Sequence, residues 1–183
     1  MKRTRRWLAL TVAASLVAML DHRFATLAAL EPSRIWRGEL WRLVTWPFVE
    51  RSPMSLIFTC VAIYHFGGQL AYRWGERRLR RFAIELVLAA AVATCLADAV
   101  LHHGIARCGG WAIADALVIA WARQFPTATL QLYGVLQLQG RAIVKLVVAT
   151  SIVYALYAGP VAMMPELVAC IGAAAYPRGW LQR

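Results

Sequence analysis

The sequence predicts an all-α membrane protein, a bundle of six transmembrane helices with a long first loop at the membrane interface. Three observations predict this class. Hydrophobic residues make up 61% of the 183 residues, which is more apolar surface than a soluble domain of this size can bury. They fall in blocks that approach the roughly 20 residues a helix needs to cross a bilayer. The cations, which give a formal charge of +11, cluster beside alternate blocks.

The six apolar blocks are predicted to form one domain that covers residues 1–183. The first block follows a basic start, as a signal peptide also would, but no small-residue cleavage site comes after it, so we expect an uncleaved span. The predicted spans are residues 7–22, 54–72, 82–103, 108–125, 142–158 and 161–176.

The segment between the first two spans is predicted to lie on the membrane rather than to cross it. If it is helical, one face carries Trp36, Leu40, Leu43 and Val44, and the charged residues Arg34, Arg37 and Glu39 lie largely off that face. Indole is half-buried in the headgroup region while arginine stays in water.

The distribution of cations predicts that both termini are cytoplasmic. Cytoplasmic segments then hold the N-terminal cations, the basic run 73–81 and the later arginines, whereas acids nearly balance the arginines of the outer segments. The small size favours a bacterial inner membrane. No phosphate loop or nucleic-acid recognition pattern accompanies the positive charge, so we expect no nucleic acid partner.

Residues 126–141 alternate apolar and polar side chains, a pattern that indicates extended structure. Their glycines and glutamines argue against another span. The alternative is a semi-extended cytoplasmic loop that lies against the helix ends.

Residues 38–48 resemble the Trp-Arg motif in the first loop of rhomboid intramembrane proteases and their Derlin relatives, with Trp41 and Arg42 at the motif positions. The similarity continues through Phe66-Gly67-Gly68-Gln69-Leu70 and residues 73–78, and more faintly from Phe125-Pro126 to Arg141. The resemblance implies a rhomboid-like six-helix bundle.

The resemblance also implies that the catalytic residues are lost. Rhomboids have Gly-x-Ser-Gly at the start of the fourth helix and His-Leu-x-Gly in the sixth, and the matching positions here hold Trp111 and Glu166. Their His-x-x-x-Asn, which helps to hold the oxyanion, matches Ser55 and Thr59. Serine needs an adjacent base to become a nucleophile. The predicted fourth span contains no serine, and the predicted sixth span contains no histidine. We therefore expect a pseudoprotease, not an enzyme.

Three acids within the predicted spans form a candidate polar site: Asp115, Glu166 and Asp98. The resemblance places the fourth and sixth helices in contact, which brings Asp115 or Trp111 near Glu166. The acids then either bind a partner's cation, a proton or a metal, or hold two helices together by hydrogen bonds. Asp98 is either a packing residue or lies at the outer lip.

No metal or cofactor is expected, because two acids without a histidine are too few ligands. His102 and His103, with His22 on the same side, are the only other candidate ligands, and adjacent loop histidines are usually just solvated. The cysteines are far apart and suit helix packing.

The densest basic run is predicted to anchor its loop to anionic lipid, or else to dock an acidic cytoplasmic partner. Its arginines are Arg73, Arg77, Arg78, Arg80 and Arg81.

Three functions follow as hypotheses. The first, which the resemblance implies, is a scaffold, adaptor or chaperone that binds the transmembrane segments of other membrane proteins. The second is a dedicated accessory subunit of one larger membrane complex. The third is an unorthodox protease that uses Cys108, Asp115 or Glu166. The expected partners are integral membrane proteins and lipid, and no small-molecule substrate is expected.

Overall fold

The computed structural model describes residues 2–101, 106–132, 136–159 and 163–176, and this part of the chain is mainly helical. The longer helices are α1 (Lys2–Leu20), α5 (Pro53–Ala62), α7 (Glu76–Leu101), α8 (Trp111–Gln124), α9 (Gly140–Ala158) and α10 (Met164–Ala175). The shorter ones are α2 (His22–Ala28), α3 (Pro32–Ile35), α4 (Arg42–Thr45) and α6 (Gly68–Trp74). A π-helical turn, Ile63–Gly67, joins α5 to α6, and a 3₁₀ turn, Trp46–Phe48, follows α4.

Two segments of the described chain are long and apolar enough to cross a membrane: Pro53–Trp74 and Glu76–Leu101. Shorter apolar helices cover Arg6–Leu20, Ala142–Tyr157 and Met164–Ala175. Helix α8 has 14 residues and is therefore only about 21 Å long. The all-helical class is confirmed, but six crossings stay a prediction, because four of the six predicted helices fall short of a full span.

Two helix boundaries differ from the approximate span boundaries that the sequence predicted. The first span was expected to reach residue 22, but α1 ends at Leu20 and Asp21 caps the separate helix α2 by accepting a hydrogen bond from the Arg23 amide. The fourth was expected to begin at residue 108, but the chain there is extended. Arg107 pairs with Leu30 as a β-bridge, and α8 begins only at Trp111.

The first loop is not one helix, as its apolar face suggested. Helices α3 and α4 are short and are separated by a turn. In that turn Gly38 has a φ of +102°, a backbone conformation that glycine adopts without strain. Trp36, Leu40 and Val44 are nevertheless exposed on the surface of the bundle, while Leu43 packs against the core. The apolar surface exists, but tight turns rather than helical periodicity produce it.

Helix α8 is the centre of the bundle, and most of its residues are buried. Helix α10 packs against both α8 and α7. At Gly172 a Cβ atom would lie 2.5 Å from Leu86 Cδ2, so glycine permits the close approach of α10 to α7. Helix α9 packs chiefly against α8, and the described residues leave a wide apolar face of α9 uncovered.

Within residues 126–141, the predicted extended structure is confirmed for 129–132 and 136–139, whereas residues 140 and 141 already belong to α9. Strand β1 (Thr129–Leu132) pairs antiparallel with β2 (Leu136–Gln139), and α9 follows directly. His102 and His103, the cations beyond residue 176, and residues 161–162 of the sixth predicted span lie outside the described residues.

Candidate functional site

Trp111, at the position that the resemblance assigns to the nucleophile, turns its indole toward α5. Trp111 is the first residue of α8, and its Nε1 donates a hydrogen bond of 2.7 Å to Ser55 Oγ. Its ring lies 6.1 Å from that of Phe58, and 43% of the residue is exposed. The resemblance placed either Asp115 or Trp111 near Glu166. Trp111 instead connects the first turns of α8 and α5.

Glu50 lies at the centre of the same site, buried to 2% exposure. Its carboxylate accepts hydrogen bonds from Ser55 Oγ at 2.5 Å, from Thr59 Oγ1 at 2.7 Å and from the Gly110 amide at 2.6 Å. Its own amide donates to Ser15 Oγ of α1 at 3.0 Å. One side chain thus connects the first loop to α5 and α8, and its backbone connects it to α1.

Gly110 makes room for this carboxylate. A Cβ atom there would lie 2.5 Å from Thr59 Cγ2, 3.1 Å from the Pro47 carbonyl oxygen and 3.2 Å from Glu50 Oε1. A larger residue would push the α8 amide away from Glu50. The glycine is therefore required for the hydrogen bond and not only for flexibility.

Glu50 was not among the predicted site residues, because its position in the first loop placed it with the acids that balance the outer arginines. Burial of a carboxylate at membrane depth is costly unless donors surround it. A signal was present: Ser55 and Thr59 are four residues apart, on one face of an otherwise apolar span. Two hydroxyls on one face indicate a polar partner, and Glu50 is the nearest acid along the chain.

The expected acid pair forms between α8 and α10. Asp115 and Glu166 are close enough to interact electrostatically, and Cys170, one turn after Glu166, is near both. Glu166 Oε2 is buried and has no hydrogen-bond partner within the described residues. The guanidinium of Arg107 interacts electrostatically with both Glu166 and Asp98. Arg107 thus lies near two of the predicted acids, and Glu166 lies near the third, Asp115.

Arg42 of the first-loop motif is completely buried, which corrects its placement among the solvated loop charges. Its guanidinium donates to Glu39 Oε2 at 2.6 Å and to the carbonyl oxygens of Thr26 and Ala29 at 2.5 and 2.8 Å. The neighbouring Trp41 donates from Nε1 to the Leu27 carbonyl oxygen. The motif thus fixes the first loop onto α2, since arginine can satisfy the open carbonyl end of that helix.

The basic run continues through the turn between α6 and α7. Arg73 lies over the Phe125 ring at 5.6 Å, and Arg81 forms an ion pair with Glu85. Arg77 is exposed, whereas Arg78 and Arg80 are half-buried. The run is therefore partly structural.

Cys108 lies apart from the acid pair. It packs on the cluster formed by Ala18, Ala25, Ala28 and Val49, and it is near Arg51 and Glu50. All four cysteines are free. Within the described residues no group of three or more His, Cys, Asp or Glu side chains could hold a metal ion.

The family comparison agrees with the class that the fold indicates. Residues 5–181 match the model of the family described as "Eukaryotic integral membrane protein (DUF1751)". The chain belongs to this family. Membership establishes that it is an integral membrane protein, whereas the description does not mention rhomboids, Derlins or any activity. A search of the curated proteins finds no match.

Proposed function

We propose that this member of the family is a non-catalytic, rhomboid-like membrane protein that binds transmembrane segments of other membrane proteins as a scaffold, adaptor or chaperone. The observation that carries the proposal is the hydrogen-bonded chain from Glu50 through Ser55 to Trp111. It fills the place where the resemblance would put the catalytic serine and the groups that hold the oxyanion.

This arrangement opposes peptide cleavage in two ways. The indole nitrogen of Trp111 offers no lone pair for attack, and its N–H already donates to Ser55. The donors that could stabilise a developing oxyanion, Thr59 Oγ1 and the Gly110 amide, already bind Glu50. A substrate carbonyl would have to displace a buried carboxylate.

An unorthodox hydrolase has less support. It would need Cys108 to act with Asp115 or Glu166. Cys108 packs toward α1 and α2, whereas the two acids lie between α8 and α10. Nucleophile and base must be within hydrogen-bond reach of one another.

The binding role is supported by the uncovered face of α9. Leu156 and Tyr157 are 83% and 87% exposed, and Val153 and Tyr154 are 66% and 56% exposed. A tyrosine hydroxyl in an apolar surround is stabilised by a hydrogen-bond partner, and a neighbouring helix with a Ser, Thr or backbone acceptor would supply one. We propose α9 as the face that receives a client segment.

The proposed location is an integral membrane with both termini on the cytoplasmic side. The matched family is named for eukaryotic proteins, so it lends no support to the bacterial inner membrane that the small size favoured.

A pull-down in mild detergent tests the proposal. We expect the wild-type chain to retain specific integral membrane proteins, and we expect the double variant Leu156→Ala, Tyr157→Ala to lose them. The matched control is Val92→Ala, Leu96→Ala on the exposed face of α7, which should retain them. Absence of any stably associated membrane protein would contradict the proposal. One partner at fixed stoichiometry would favour the accessory subunit.

A further inference from the structure

An apolar slot borders α7 and is lined also by residues of α1, the first loop, α5, the π-helical turn and α8. Trp7 and Thr11 line it on α1, Leu79, Ala83 and Val87 line it on α7, and Gly110 lies at its back. Two further lining residues, Val44 and Ile84, are 44% and 43% exposed, so the slot opens to the surroundings of the bundle. In a membrane these surroundings are lipid acyl chains.

The dimensions of the slot restrict what can occupy it. Leu79, Ala83 and Val87 occupy successive turns of α7, so the slot extends along the helix for about 12 Å. Its volume is about 50 Å³ and its lining is almost entirely carbon. A transmembrane helix, about 10–12 Å across with its side chains, is too wide, and an apolar lining does not hold water. The volume holds only a short part of one acyl chain, and the carbon lining suits that part. The open side leaves the rest of the chain among the surrounding lipid.

A cation lies at one end of the slot. Arg80 precedes Ala83 and Ile84 by three and four residues, so all three share one face of α7, with Arg80 one turn nearer the basic N-terminal end of that helix. Arg80 is half-buried and forms no ion pair with any residue that the structure describes. Arg6, exposed beside Trp7, adds positive charge on α1.

We propose that this slot binds an anionic phospholipid of the leaflet that the N-terminal end of α7 faces, with one acyl chain between α1 and α7 and its phosphate at Arg80. The carbon-lined slot accounts for the chain and the adjacent guanidinium accounts for the phosphate. The small residues Ala83 and Gly110 keep the slot open. The site is separate from the proposed client face, because its lining includes no residue of α9.

Native mass spectrometry of the purified protein tests the site. The protein is loaded with an equimolar mixture of phosphatidylglycerol and phosphatidylcholine that carry the same acyl chains. We expect one retained lipid, with phosphatidylglycerol preferred about fivefold, the scale that one cation near a phosphate gives. Arg80→Gln should abolish this preference. Ala83→Phe should reduce retention of both lipids by filling the slot.

Matched controls separate the site from general membrane affinity. Arg77→Gln changes an exposed arginine of the same run, and Ala89→Phe adds a ring on the exposed face of α7. Both should behave as wild type. Ala83→Leu provides a smaller filling variant should the phenylalanine prevent folding. Equal retention of the two lipids, equal loss of preference in Arg77→Gln and Arg80→Gln, or full retention in folded Ala83→Phe or Ala83→Leu would overturn the proposal.

Discussion

Among single residues, Glu50 has the greatest influence on the outer end of the bundle. A buried carboxylate would be strongly destabilising without donors, and three donors from α5 and α8 surround this one. Its side chain therefore acts as a cross-link between elements that are far apart in the sequence. The same hydrogen bonds consume the donors that a reaction would need.

Glu50→Ala should lower the free energy of unfolding by about 3 kcal/mol, because it leaves Thr59 Oγ1 and the Gly110 amide buried without an acceptor. Glu50→Gln should cost less, since its amide oxygen still accepts. Unfolding in mixed micelles with increasing denaturing detergent measures the difference. The control is Glu31→Ala, which removes a half-exposed acid that pairs with Arg34. It should change the free energy of unfolding by less than about 1 kcal/mol. Equal stability of Glu50→Ala and wild type would show that the network is unimportant.

The sequence pointed to Trp111, Ser55 and Thr59 but not to the residue that joins them. These three were located by their order in motifs, and the structure places all three at one site. Glu50 and Arg42 were counted among the charges of the outer segments, because nothing local distinguishes a loop charge from one that folds back under a helix. Their burial depends on contacts across more than ten residues, which periodicity cannot reveal.

At the level of elements, the first turn of α8 depends on one glycine. Gly110 lets the α8 backbone approach Pro47 and Thr59 closely enough to donate to Glu50. The π-helical turn between α5 and α6 lies beside the same helix, and Gly67 there faces Leu117. Helix α8 is thus packed tightly against the second helical segment.

Gly110→Ala should destabilise the protein by about 2 kcal/mol, because the new methyl group would overlap Thr59 Cγ2 and strain the packing. Gly68→Ala is the matched control. It is helical and has nothing within 4 Å of a Cβ atom, so it should be neutral or slightly stabilising. The same unfolding assay in micelles measures both variants. A stable Gly110→Ala would mean that α8 can shift away from Glu50 without cost.

Local pattern predicted some elements well and others poorly. The alternation within residues 126–141 correctly indicated extended backbone, because a two-residue period reports backbone conformation directly, but it did not predict that the two strands pair. The apolar spacing in the first loop suggested a helix that does not exist as one piece. There, Gly38 and the buried Arg42 determine the path, and the exposed apolar surface results from turns.

For the whole molecule, family membership establishes that the protein is an integral membrane protein. The predicted number and direction of its crossings rest on the charge asymmetry of the sequence. The described helices coincide with all six apolar blocks, yet only two segments have the length of a full span. Short helices are accommodated when a bilayer thins locally, at a modest cost per ångström.

Cysteine labelling tests the predicted topology. In a variant without native cysteines, Ser33→Cys in the first loop should react with a membrane-impermeant maleimide from outside. Arg77→Cys in the basic run should react only after the membrane is opened, since positively charged loops stay inside. Both positions are exposed. Labelling of both from the same side would contradict the arrangement of the first three spans.

The central claim, client binding without cleavage, is tested most directly by photo-crosslinking from α9 in the intact membrane. A photoreactive amino acid at Leu156 should form adducts with transmembrane segments of intact membrane proteins, and one at Leu96 on α7 should give few. Adducts with lipid alone, or client proteins shortened within the membrane only when the chain is present, would contradict the account.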